Sequence, residues 1–413
     1  VKRALAWALL GVAMPALATL LDFSAEEKAR IVAFGPWPPV VQRDPGNRVD
    51  GLAAAVELGR HLFRDAALSA SGRLSCASCH VPRLAFQDGR RVARGARNTP
   101  GLLDVGQRRW YGWDGAHDSL WSASLAPLLA GHEIAATPSS LARRLNERRD
   151  LQRRYVELFG VVQPGEAVAV NVAKALAAYQ ATLVSPRTRF DDFRDALARG
   201  DRRAAARYPQ AAQRGLRLFI GSARCSLCHA GPAFSNGEFA DIGLPFFVAG
   251  GVDSGRWGGL ERLLTSRSNR LGEWSDAGAD DLRAVATRQV LVEPRHFGEF
   301  RVPGLRQLAF TAPYMHDGSV ATLEDVVRHY SELDEDRLHA DGQRVLRPLK
   351  LAPQAAADLA AFLRSLSAPS AAPAGQRRRA ASRRRRGSPR WPRSPDRHSC
   401  SAHCRRAASD CLR

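Results

Sequence analysis

The chain has 413 residues, 45% of them hydrophobic, and a formal net charge of +20. That length and apolar content suffice for a sizeable core and two domains, and they exclude a chain that is disordered throughout. The charge is concentrated: residues 371–413 carry 13 Arg against 2 Asp, a net of +11 that leaves +9 for everything before them.

The first residues, VKRALAWALLGVAMPALATLL, join a basic start (Lys2, Arg3) to an apolar run and the small-residue triplet Ala16-Leu17-Ala18. This is the pattern of a cleaved export signal over residues 1–18, with the mature chain starting near Thr19. A membrane anchor is the rival reading, but Pro15 interrupts the run and about 20 apolar residues are needed to span a bilayer. No later segment is apolar for long enough, so a periplasmic protein with no integral span after signal removal is expected.

After an N-terminal segment (19–48), apolar residues recur at helical spacing and almost never alternate, so the fold is expected to be mostly α. The clearest helices are 167–183, 211–219 and 353–366, while Gly-, Arg- and Pro-rich stretches at 81–118 and 235–304 read as long loops that wrap something large. Two stretches repeat each other, ELGRHLFRDAALSASGRLSCASCH and QRGLRLFIGSARCSLCH, with Cys76 and Cys225 149 residues apart. Such an internal duplication implies two domains, at 49–200 and 205–370. Residues 371–413, rich in Arg, Ser, Pro and Ala, are expected to be a disordered tail. A polybasic tail suits nucleic acid or anionic lipid, but an exported protein rarely meets nucleic acid, and none is expected as a partner. Cys400, Cys404 and Cys411 with His398 and His403 only loosely imitate a metal cluster, because nothing around them would orient ligands.

Cys76, Cys79 and His80, and again Cys225, Cys228 and His229, form Cys-x-x-Cys-His. A covalent haem c needs two thiols for its vinyl groups and an adjacent imidazole for its iron, and this run supplies both. The alternatives are zinc, which would want four ligands converging on one ion, and a thioredoxin-like redox pair, which would sit in a βαβ pattern that this chain lacks. Two covalently bound haem c groups are therefore expected. What lies opposite each histidine decides between electron transfer and catalysis.

Methionine is the usual partner, yet the chain has only Met14, lost with the signal, and Met315 in TAPYMHDGS. Downstream, Thr322 can cap a helix with Asp325 closing a capping box, and Leu323, Val326, Val327 and Tyr330 share one face. Tyr330 thus points inward and His329 about 100° away. On this evidence Tyr330 is either an iron ligand or a tyrosine packed in the core.

The stretches CASCHVPRLAFQDGRRVARGARNTPGLLDV, WDGAHDSLWSASLAPL, GLRLFIGSARCSLCHAGPAFSNGEFADIGLP and FRVPGLRQLAFTAPYMHDGSVATLEDVVRHY resemble the bacterial dihaem cytochrome c peroxidase family, in its MauG-like branch. The resemblance spans most of residues 50–366. It implies two cytochrome c-like haem domains with long wrapping loops, the N-terminal haem meeting hydrogen peroxide and the C-terminal haem transferring electrons. It makes Tyr330 the sixth ligand of the C-terminal haem, Glu133 the acid/base beside the N-terminal one, and Trp113 the relay between them. It also implies a calcium ion held by the Asn98 side chain and the Thr311 and Pro313 carbonyls. One departure stands out: the glutamine expected four residues before Pro127 is Ala123. Electrons would come from a small redox protein, a cytochrome c or cupredoxin, unless the enzyme oxidises a partner protein as MauG-like members do. A non-catalytic dihaem electron-transfer cytochrome is the alternative. His117, His132, His296 and His316 are expected to be structural, with His132 able to approach the first haem.

Overall fold

The computed structural model describes residues 19–369 except 41, 93–96, 249–250, 279 and 343–344, so the expected signal and the basic tail lie outside the described residues. The described helices, in chain order, are α1 (Ala25–Val32), α2 (Ala53–Leu62), α3 (Cys76–Cys79), α4 (Leu120–Leu129), α5 (Pro138–Glu147), α6 (Arg149–Phe159), α7 (Glu166–Ala181), α8 (Arg189–Ala198), α9 (Arg202–Ala205), α10 (Gln210–Ile220), α11 (Arg256–Thr265), α12 (Leu282–Arg288), α13 (Leu323–Ser331) and α14 (Pro353–Ser365). Strands are two residues each: β1 (Phe239–Ala240) pairs antiparallel with β4 (Phe300–Arg301), and β2 (Phe247–Val248) with β3 (Gly251–Val252). The chain is mostly helical, and α7, α10 and α14 fall where the apolar spacing puts them.

Region 235–304 departs from the expected loop, because it contains α11 and α12. Gly255, Gly258 and Gly259 hide α11 in the sequence, yet two of them serve close approach: a Cβ on Gly255 would lie 2.4 Å from the Glu299 carbonyl oxygen, and one on Gly259 2.2 Å from that of Asp114. Leu260 and Leu263 of α11 then pack on Trp110.

Two hydrophobic clusters hold the chain. One draws on residues 58–183 and the other on 23–34 and 190–366, so α1 and α8 contribute to the second. Each cluster is built on a crossing of two helices at a glycine. At Gly59 of α2 a Cβ would lie 2.0 Å from the Ala175 carbonyl oxygen of α7; at Gly215 of α10 it would lie 2.0 Å from that of Asp358 in α14. Both glycines stand four residues before a buried phenylalanine, Phe63 or Phe219, which packs against Tyr179 (5.2 Å between ring centres) or Phe362 (4.9 Å). The duplication seen in the sequence is thus also a duplication of helix packing.

Polar groups are buried in the second half too. Thr188 and Asp191 form a capping box that starts α8, and the same Asp191 carboxylate takes two hydrogen bonds from Arg306, at 2.7 and 3.0 Å. Glu299, just before β4, is buried without a side-chain hydrogen bond among the described residues, and burial pushes its carboxyl up to about 7 from an ordinary 4.5. A pKa raised by folding means that the favourable, protonated form is fully present below pH 4.5 and is lost as pH rises through 7. Glu299→Gln, which fixes the neutral form, is expected to raise stability by about 1–3 kcal/mol at pH 8 and to leave it unchanged at pH 4. Denaturant titrations at the two pH values check this, and an equal effect at both would rule out the carboxyl as its source.

Candidate active site

The two cysteine motifs adopt closely related local structures. In the first, Cys76–Cys79 form the single turn of α3, held at its start by Ser75 N–H donating to Ser78 Oγ (3.0 Å), and His80 N–H closes the turn on the Cys76 carbonyl (2.9 Å). In the second, Cys225–Leu227 form a 3₁₀ turn, closed by His229 N–H on the Cys225 carbonyl (2.9 Å). Burial pushes the Cys76 and Cys225 thiols up to about 12, away from the low-pKa thiolate that a redox pair needs. Among the described residues no three His, Cys, Asp or Glu side chains gather as a metal site.

The histidines share one further device. His80 Nδ1 lies 2.8 Å from the Phe86 carbonyl oxygen, and His229 Nδ1 lies 3.0 Å from that of Phe234. A carbonyl only accepts, so each Nδ1 carries the hydrogen and each Nε2 keeps a lone pair for a metal. Burial, which holds both imidazoles below their ordinary pKa, favours the same neutral form. Phe86 and Phe234 both sit at left-handed φ, 62° and 55°, a conformation costly for a bulky residue and tolerated where its carbonyl is needed. The motif Ala-Phe after each histidine (Ala85-Phe86, Ala233-Phe234) was the sequence signal for this acceptor, and it was missed.

Two cavities adjoin these motifs, of about 630 and 570 Å³, each within the range of cofactor sites. The first is lined by Cys79, His80, His117, His132 and Glu133. The second is lined by Cys225, Cys228, His229, Met315 and Tyr330. Trp113 and Asn98 line both. Trp113 is fixed there by three contacts: its Nε1–H donates to the Asn98 carbonyl (2.8 Å), its own carbonyl accepts from Arg301 N–H (2.7 Å), and it lies in the turn closed by Tyr111 N–H on the His117 carbonyl (2.9 Å).

Glu133 follows α4, where Pro127 sits inside the helix and the chain turns back on itself, with Glu133 N–H and Ala135 N–H both donating to the Ala130 carbonyl (3.0 Å each). Its Oε1 is 3.6 Å from His132 Nε2. Ala123, at the position expected for glutamine, packs on the first hydrophobic cluster and has no polar group to offer. His117, read from the sequence as a structural loop residue, lines the same cavity as Glu133, with Nδ1 3.1 Å from Ser122 Oγ.

In the second cavity Thr322 caps α13, accepting from Asp325 N–H (3.1 Å) and donating to Asp325 Oδ2 (2.7 Å). Leu323 and Val327 are buried, and Tyr330 shares the cavity with the thiols and His229. Its hydroxyl meets no hydrogen-bond partner among the described residues, and burial, with the thiols of Cys225 and Cys228 next, holds its pKa well above the usual phenol range. His329 turns away, its Nε2 2.8 Å from the Ile242 carbonyl oxygen. Two thiols, a released imidazole nitrogen, an unengaged phenol and apolar walls of Phe219, Leu359 and Leu363 fit a covalent haem.

Comparison with known proteins agrees with this chemistry. A family model described as di-haem cytochrome c peroxidase matches residues 53–199. The chain is 33% identical over 377 residues to cytochrome-c peroxidase IdrP1 of Pseudomonas sp. (strain SCT), covering 87% of this chain and 92% of that protein. The chain belongs to the di-haem cytochrome c peroxidase family. It is also 31% identical to methylamine utilization protein MauG of Methylorubrum extorquens, over 85% of this chain and 88% of that one. Among solved structures, a MauG-like protein associated with microbial copper homeostasis superposes with a TM-score of 0.63 at 28% identity, covering 81% of this chain and 95% of that one. Membership of this di-haem peroxidase family makes the protein an oxidoreductase and implies two c-type haems as its cofactors.

Proposed function

We propose that this di-haem peroxidase works in the periplasm, reducing hydrogen peroxide in the cavity of His80 and Glu133 with electrons passed through Trp113 from the cavity of His229 and Tyr330. The observation that carries this reading is the shared wall: Trp113 lines the cavity of each histidine. A haem c in each cavity would bind through the thiols of Cys76 and Cys79, or Cys225 and Cys228, and supply peroxide binding and one-electron chemistry.

The chain's own residues do the rest. His80 Nε2 would hold the first haem, and Glu133, in the wall of the same cavity, would serve peroxide as its acid/base. Its carboxylate accepts the proton from one peroxide oxygen and returns it to the other, so that water leaves as the O–O bond breaks. Two electrons and two further protons complete the conversion of one peroxide to two waters. In the second cavity His229 Nε2 and the Tyr330 hydroxyl would hold the haem, which would supply electron transfer there.

Calcium fits these residues only with a local change. The Thr311 and Pro313 carbonyls accept no hydrogen bond from a described residue, and both line the second cavity with Asn98. Asn98 Oδ1, however, accepts from Gln87 Nε2, and Gln87 Oε1 is buried without a partner. We include a calcium ion on Asn98, Thr311 and Pro313 in the proposal, with Gln87 turning aside.

The electron source is a small redox protein, a cytochrome c or cupredoxin. A second reading, oxidation of a partner protein at long range, is favoured by Tyr330 in place of methionine. For the compartment, the support is the signal-like start of the chain. No described helix is long and apolar enough to cross a membrane.

The test is optical and EPR spectroscopy of the haem-loaded protein before and after peroxide, on the wild type and on Tyr330→Met. Two haems per chain are expected, one of which changes on adding peroxide; Tyr330→Met is expected to alter the low-spin signal of the other. Two low-spin haems inert to peroxide would establish an electron-transfer cytochrome instead, and an unaltered low-spin signal would remove Tyr330 from the ligand set.

A further inference from the structure

Three of the arginines in the wall of the second cavity, Arg108, Arg301 and Arg306, differ in how their charges are answered. Arg306 is paired with Asp191, and its guanidinium lies 3.5 Å over the Trp37 ring. Arg301, only 4% exposed, makes no ion pair among the described residues: its Nε–H donates to the Gly112 carbonyl (3.1 Å), its Nη1–H reaches the Val302 carbonyl at 3.5 Å, and Nη2 has no partner. Arg108 likewise has no carboxylate. Its Nη2 serves the Gly101 and Leu103 carbonyls at 3.1 and 3.3 Å, while Nε and Nη1 donate to no described residue. Beside them Gln107 Nε2 is buried with no partner and lines the same cavity.

This arrangement is expensive unless something negative occupies it. A guanidinium does not give up its proton in a protein, and a buried, unpaired cation costs several kcal/mol. Arg108 and Arg301 line the same cavity, and burial, with the Arg108 charge next, opposes the charge on Arg301. The carboxyl in this wall, Asp104, is within electrostatic reach of Arg108 but forms no ion pair with either cation: it accepts from Ser185 N–H (2.7 Å) and is itself pushed up by burial. What the wall offers is a set of unspent N–H donors on two planar forks, the geometry that carboxylates match best.

We propose that Arg108 and Arg301, with the Gln107 amide, form a dianion-binding site that takes the two propionate groups of the haem attached at Cys225 and Cys228. The inference rests on the proposal that this cavity holds a haem. It gives Arg301 a second role. Its guanidinium carbon is 5.8 Å from the centre of the Trp113 ring, where an unanswered cation would oppose loss of an electron from the indole. With a propionate beside it, that opposition is cancelled, so Arg301 positions the cofactor and tunes the relay without touching the reacting atoms.

The experiment is spectroelectrochemistry and resonance Raman on the holoenzyme and on Arg108→Gln, Arg301→Gln and Arg301→Lys. Removing a cation beside the propionates disfavours the reduced state and frees a carboxylate to titrate. The midpoint of the His229-side haem is therefore expected to fall in both glutamine variants and to become pH-dependent near neutrality, with the propionate-bending band shifted. Arg301→Lys should restore most of the midpoint, which a purely structural Arg301 would not predict. If Arg301→Gln does not fold, Arg108→Gln and Arg301→Lys carry the same test. Unchanged midpoints and bands in variants that hold both haems would overturn the assignment. So would a midpoint that tracks added inorganic phosphate, which would identify a free anion as the occupant. A wild-type chain with no haem at Cys225 and Cys228, counted by pyridine haemochrome, would overturn the haem reading itself.

Discussion

Replacing Glu133 by glutamine is expected to lower peroxide-dependent turnover by about 10²–10⁴-fold, the usual range for loss of a positioned acid/base, with both haems retained. The magnitude is large because the chain supplies so little else. The glutamine that would help orient peroxide is Ala123, a methyl packed on the core. His132 lies 3.6 Å from the Glu133 carboxylate, and His117 lines the same cavity but has Nδ1 against Ser122 Oγ. Steady-state assays on Glu133→Gln and His117→Gln separate these groups. Turnover unaffected in Glu133→Gln would move the proton-transfer role to a histidine.

The largest expected loss of stability comes from Asp191. In Asp191→Asn the Arg306 guanidinium, with side chains on both partners only 3% exposed, loses its counter-charge while remaining buried. Breaking a buried pair from one side costs about 3–5 kcal/mol, because the stranded charge is worse than no charge. The damage should spread to the haem motif: Arg306 Nε–H also donates to the Pro232 carbonyl at 2.7 Å, two residues before Phe234, whose carbonyl orients His229. Guanidinium chloride titrations of the holoprotein should show the loss, and Arg306→Met in the Asp191→Asn background should recover part of it. A loss of under about 1 kcal/mol would mean that water reaches the stranded guanidinium.

Much of this was legible in the sequence because it rests on covalent chemistry and periodicity. Cys-x-x-Cys-His announces its cofactor through residue types that few other chemistries need together, α10 and α14 have apolar faces, and α7 is a long apolar run buried on almost every side. Tyr330 could be placed on the inner face of its helix before any contact was known. What escaped was chemistry carried by backbone or by distance. The carbonyls of Phe86 and Phe234 have no sequence symbol, and α11 was masked by glycines that exist for close packing. Arg108 and Arg301, 193 positions apart, become one site only when β4 is laid against the Trp113 turn. Their charge was lost in a composition dominated by the tail.

The paired glycine crossings carry a consequence for how the protein is made. Gly59 meets its partner helix at Ala175, and Gly215 meets its own at Asp358, each more than a hundred residues further along the chain. During synthesis, Cys76 and Cys79 therefore appear long before α7 exists to pack over α2, and Cys225 and Cys228 long before α14 can cover α10. Contacts this distant in the chain form late. Each thiol pair accordingly spends a period on open chain, accessible to the machinery that must join it to a porphyrin, and the last helix of each half acts as the seal that ends that window.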